Sequence, residues 1–206
     1  YLLLTIGGNI MTDNRVNRIL HLFSSGDGIL RSSFLRQHGV CSKDIRKLLE
    51  RNIIVRLKDG YYARTDMMDH ISDYQVVVAT VPDAVICGIS AASLHDLTTV
   101  IPDAIHIAVP NKGKLPTMPD FPSVEIIQSK KSLYEIGITK LDGLPIYDRE
   151  RTVCDCIKAS DSIGTDVAIE ILRTYMNGKR DIQKLYDYAS RLRIAAKLHP
   201  YMEVLA

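Results

Sequence analysis

The chain has 206 residues, 46% hydrophobic and 24% charged, so it can bury a core as one large domain or two small ones, and a disordered class is excluded. Its formal net charge of +2 hides an asymmetry: residues 11–66 carry 11 Lys/Arg against 6 Asp/Glu, whereas residues 67–206 carry 15 against 18. The N-terminal part is the side expected to approach a polyanion, and no apolar run reaches the roughly 18 residues of a membrane span.

Cys41, Cys87, Cys154 and Cys156 form no CxxC pair and no zinc-like spacing with histidine. Reduced, mostly buried thiols in a cytoplasmic protein without a cofactor are expected. Tyr1 to Ile10 is apolar but lacks a basic leader or an evident cleavage site. It is expected to be an extension ahead of a start at Met11, with a genuine N-terminal strand as the alternative.

From Met11 onward, Val16, Ile19, Leu20 and Phe23 recur at i, i+3, i+4 and i+7, which predicts a first amphipathic helix. Ser24-Ser25-Gly26-Asp27-Gly28 should end it, and Ile29 to Arg31 should be extended. Ser32 or Ser33 can cap a second helix containing Phe34 and Leu35, closed by His38-Gly39. Ser42 can cap a third, in which Ile45, Leu48 and Leu49 share one face, Lys43 and Lys47 lie opposite, and Arg46 flanks them. Cations in the first turns oppose the helix dipole, a conflict that a negatively charged partner would remove. Ile53 to Leu57 and Gly60 to Arg64 then flank Asp59-Gly60, a strong hairpin signal. Helix, strand, helix, helix, strand, strand is the order of a winged helix-turn-helix domain, assigned to residues 11–66.

Thr65 to Ser72 has no clear period and reads as a connector. Residues 73–206 read as an α+β domain with a small sheet and C-terminal helices. Tyr74 to Val81 suits a helix or a strand; Val85 to Cys87, Ala104 to Pro110 and Val124 to Gln128 read as strands. Ser90 can cap a helix carrying Ala91, Leu94 and His95. Asn111 to Pro122, with its prolines, is an exposed loop, and Asp142-Gly143 turns a second hairpin. Helices follow over Arg149 to Ala159, over Thr165 to Asn177, and from an Asp181 cap, with a last segment interrupted or started by Pro200.

No specific catalytic constellation emerges. His95 and Asp96 are adjacent, hence about 100° apart on a helix, and no nucleophile stands at a motif position with them. Asp103 and Glu125 lack the lysine that a metal-dependent nuclease places two residues after its acid; Ile127 stands there. Asn111-Lys112-Gly113-Lys114 lacks the phosphate-loop frame, although its lysines could touch a DNA backbone. Arg151 and Asp155 are i, i+4 neighbours able to pair, and Arg149 and Arg151 are expected to tie their helix to the sheet or to serve a partner.

Four stretches occur in an order and spacing that resemble the AbiEi-type antitoxins of abortive-infection toxin–antitoxin systems: Gly60-Tyr61-Tyr62-Ala63-Arg64, the helix Ser90 to Thr98, the strand Ile105 to Pro110, and Arg149 to Asp155. The resemblance covers Met11 to roughly Leu192, and each motif alone is weak. It implies an autorepressor that binds inverted repeats in its own promoter through the winged helix. It also implies a C-terminal domain that counteracts a nucleotidyltransferase-type toxin without a stable complex.

On the residues, Ser42, Lys43, Arg46 and Lys47 are expected in the major groove, and Arg56, Lys58 and Arg64 on phosphates or in the minor groove. Ser32 or Ser33 would fix the backbone position, and His95, Arg149, Arg151 and Asp155 form a structural or partner-binding group in the second domain. The protein is expected not to be an enzyme; a winged-helix-guided nuclease is the rival from another class, and a module gripping a protein instead of DNA is a third.

Overall fold

The computed structural model describes residues 13–24 and 28–205; the extension at residues 1–10, Met11, and the helix stop at residues 25–27 lie outside these. The chain divides into two compact units, Tyr1–Ser72 and Asp73–Ala206.

In the first unit the apolar stripe of α1 (Asp13–Ser24) buries Val16, Ile19 and Phe23 against Leu35 of α2 (Ser32–Gln37), Ile45 and Leu48 of α3 (Ser42–Glu50), and Ile54 of β2 (Ile54–Lys58). A three-residue strand, β1 (Ile29–Arg31), pairs antiparallel with β3 (Tyr61–Arg64), which also pairs with β2, giving the sheet order β1-β3-β2. Gly39 follows α2 at φ 76°, a left-handed residue that a glycine adopts without cost, and turns the chain into α3. This is a winged helix. The expected connector coils into a 3-10 helix over Thr65–His70.

Two expected caps are corrected. Residue Arg31 is the N-cap of α2 and neither serine caps it, because the Ser32 N–H instead donates to the Gly60 carbonyl at 2.7 Å. Ser42 is the first residue inside α3, whose N-cap is Cys41.

The second unit holds α4 (Asp73–Thr80), β4 (Val85–Ile86), α5 (Gly88–Leu94), β5 (Ile105–Pro110), β6 (Val124–Ser129), α6 (Lys131–Tyr134), β7 (Ile138–Leu141) and β8 (Leu144–Tyr147). Then come α7 (Arg149–Lys158), α8 (Ser160–Ile163), α9 (Thr165–Asn177), α10 (Ile182–Arg191) and α11 (Ala195–Leu205), the last running through Pro200. The sheet order is β6-β5-β4-β8-β7, with β5–β6 and β4–β8 parallel and the other two pairs antiparallel.

Alternation along β5 sends Ile105, Ile107 and Val109 onto Val77 and Val81 at α4. Helix α7 is enclosed: Val153, Cys154, Cys156 and Ile157 pack with Ala168, Ile171, Leu172, Tyr175, Leu185 and Ala189 of α9 and α10. Ser90 does not cap α5, which starts at Gly88; the Ser90 hydroxyl accepts the His106 N–H at 2.9 Å instead. Three thiols are buried, but Cys41 is exposed.

Candidate nucleic-acid interface

Helix α3 is held at its start by a compact polar knot. The Cys41 N–H and thiol approach Asp44 Oδ2 at 3.1 and 3.2 Å, and Arg15 of α1 donates to the same oxygen at 2.6 Å and to the Gly39 carbonyl at 3.1 Å. Asp44 supplies the anion that the helix N-terminus favours, so the dipole conflict read from Lys43 and Arg46 is offset from within. Outside this knot Ser42, Lys43 and Arg46 are exposed and Lys47 is half-buried. The Arg46 side chain is 71% exposed and pairs, among the described residues, with Glu50 at 3.6 Å. A pair this open is weak, leaving the guanidinium available to another acceptor.

The Arg15 hydrogen bond, helped by those from Cys41 and opposed by burial, lowers Asp44 from 3.8 to about 2. A carboxylate depressed in the folded state stabilises that state above its unfolded value, and the stabilisation is lost as pH falls through the folded value. Thermal melts of the parent should therefore fall more steeply between about pH 4 and pH 2 than those of Asp44→Asn. Parallel curves for the two proteins across that window would contradict the assignment.

The wing departs from a plain hairpin. Its register shifts between Arg56 and Lys58, so Leu57 is an extra, buried residue. Lys58 is consequently only 8% exposed, with its ammonium 5.1 Å from the centre of the Tyr61 ring. Arg31 lies 5.0 Å from the same ring. Burial, then the Arg31 charge, lowers the Lys58 pKa. Arg56 is exposed and bonds Asp59 at 3.1 Å. Arg64 is at the foot of the wing, paired with Asp66 and donating to Ser24 Oγ at 3.2 Å. Ser32 lies against the wing turn at Gly60, and Ser33 is exposed.

Sequence reasoning missed Arg31 and Arg15. The signal for Arg31 was its place in a short strand opposite Tyr61, the pairing found in the sheet.

In the second unit, Arg151 Nη1 donates to the carbonyls of Leu133 and Ile136 at 2.6 and 3.0 Å, and its Nε to Asp155 at 3.0 Å. Its guanidinium is 4.2 Å from the Tyr147 ring centre. Arg149 donates to the His95 carbonyl at 3.1 Å, and His95 Nε2 donates to the Tyr147 carbonyl at 2.7 Å. These four residues join the hairpin, α5 and α7.

Glu125 pairs with His106 at 3.0 Å, and His106 Nδ1 is 3.4 Å from Ser90 Oγ. That serine is fully buried. Lys112 pairs with Asp83 at 2.7 Å. Among the described residues no cluster of three His, Cys, Asp or Glu could hold a metal, and no helix is long and apolar enough to cross a membrane.

The RV2827C protein from Mycobacterium tuberculosis, known from a crystal structure, has a similar fold: 17% sequence identity and a TM-score of 0.50 over 94% of this chain and 84% of that one. No curated protein matches the chain. Residues 17–65, the stretch that builds the helix-turn-helix and the wing, match the family of transcriptional regulators described as AbiEi antitoxins.

Proposed function

We propose that the protein is a sequence-specific DNA-binding autorepressor and an antitoxin that counteracts a nucleotidyltransferase-type toxin. The observation that carries the DNA-binding half is the exposed basic face of α3, Ser42, Lys43 and Arg46, within the segment that matches the regulator family. In this reading α3 enters the major groove, Lys47 reaches in from its flank, and Arg46 holds a guanine bidentately. Ser33 fixes the position on the DNA backbone, and Arg56 and Arg64 of the wing supply phosphate or minor-groove contacts. Ser32, bonded through its N–H to Gly60, and Lys58, packed on Tyr61, shape the wing that presents them. A two-fold pair of such helices would recognise inverted repeats in the protein's own promoter. Opposition to the toxin is assigned to the second unit and rests on the family resemblance; co-expression with a neighbouring nucleotidyltransferase gene should restore growth.

Gel shifts on promoter duplexes test the assignment of α3 and the wing. Arg46→Ala should cost about 1–3 kcal/mol and relax base preference at one position, whereas Arg56→Ala, at the exposed cation of the wing, should weaken all duplexes alike. Parent-like binding by both variants would overturn it.

A further inference from the structure

The second unit contains a cleft of about 410 Å³ lined by residues of that unit alone. Thr139 and Lys140 of β7, Arg149 at the start of α7, and Lys179 and Arg180 of the α9–α10 loop line it. Lys184 of α10 also lines it, as do three carboxylates, Asp148, Glu150 and Asp181.

The carboxylates are already engaged. Lys184 bridges Asp148 and Glu150 at 3.0 and 3.2 Å; the Tyr188 and Tyr175 hydroxyls donate to the same two residues at 3.1 and 3.0 Å. Asp148 caps α7 through the Arg151 N–H at 2.9 Å, and Asp181 caps α10 through the Lys184 N–H at 3.0 Å. The cations are not similarly consumed. Lys140 and Lys179 are exposed without an ion-pair partner among the described residues, and Arg149, which donates through Nη1 to the His95 carbonyl, has no carboxylate partner among them either. A Cβ on Gly178 would stand 3.2 Å from Arg149 Nη2, so the guanidinium rests against the loop that carries Lys179 and Arg180.

From this geometry we infer that the cleft binds a small phosphate-bearing molecule, such as a nucleotide or an inorganic oligophosphate. Arginine suits this chemistry because its planar fork pairs with phosphate oxygens, and the flanking lysines add charge. The volume is that of a small-molecule site, which favours a compact ligand over a duplex.

The test is an amide-resolved NMR titration of the full chain with pyrophosphate, then with ATP. Shifts should concentrate at Thr139, Lys140, Gly178 and Lys179, and should persist in Lys43→Ala/Arg46→Ala, which removes the basic face of the first unit. Lys140→Ala/Lys179→Ala, two exposed positions, should raise the dissociation constant about tenfold or more while melting like the parent. Tighter binding of ATP than of pyrophosphate would identify a nucleotide as the occupant; equal binding would identify the oligophosphate alone. Shifts confined to the first unit or scattered over surface lysines would overturn the proposal. So would parent-like affinity in the double variant, or binding of a single-stranded oligonucleotide at these amides without pyrophosphate or ATP.

Discussion

Arg151→Ala is expected to destabilise the second unit by about 3–5 kcal/mol, because it leaves a partly buried carboxylate without its cation. Arg151 is 3% exposed, and its one guanidinium closes the Leu133 and Ile136 carbonyls and Asp155 while covering the Tyr147 ring. No single replacement side chain reproduces that set. The contact has little slack: Gly137 has φ 79°, and a Cβ there would lie 2.7 Å from Arg151 Cβ. Removing Asp155 as well should recover part of the loss, since the unpaired acid is the costly remnant. Urea unfolding followed by circular dichroism reads both effects. A midpoint for Arg151→Ala equal to the parent's, or a double variant weaker than the sum of the singles, would contradict this account.

Leu48→Ala should remove DNA binding without touching DNA. Leu48 is fully buried on the inner face of α3, packed with Phe23, Leu35 and Ile54. Truncating such a leucine costs about 2–5 kcal/mol. A unit this small has little stability in reserve, so that loss is enough to populate its unfolded state. Binding to promoter duplexes should fall, and the low-temperature part of the melt should move down while signals from α7, α9 and α10 persist. Retained affinity in a variant with a lowered melt would separate the fold of α3 from binding and contradict the assignment.

The parts legible in the sequence were those fixed by local periodicity. Val16, Ile19 and Phe23 announced α1, and Asp142-Gly143 announced the second hairpin, where both residues have positive φ, 49° and 82°. The wing carries the same dipeptide, but only its Gly60 is left-handed, at 78°. Its strands reconcile their register through the extra residue Leu57, and that turns Lys58 onto Tyr61, which a two-residue alternation does not foresee. Helix starts were misplaced by one to three residues wherever a serine looked like a cap. The Arg15–Asp44 pair that steadies the local Cys41–Asp44 box of α3 and the backbone bond from Ser32 to Gly60 that fixes α2 are both made over long sequence separations. The parallel pairing of β4 with β8 is likewise non-local, and the four residues of α6 are too few to show a period.

Sequence-specific binding through α3 is the central claim. Its most direct measurement is a footprint of the protein on the duplex upstream of its own gene, repeated over a range of salt concentrations with Lys43→Ala/Arg46→Ala alongside. The account predicts protection of an inverted repeat, an affinity that falls steeply as salt rises because phosphate contacts release counterions, and loss of protection in the double variant. Uniform protection of any duplex, or a repeat still protected by the double variant, would contradict it.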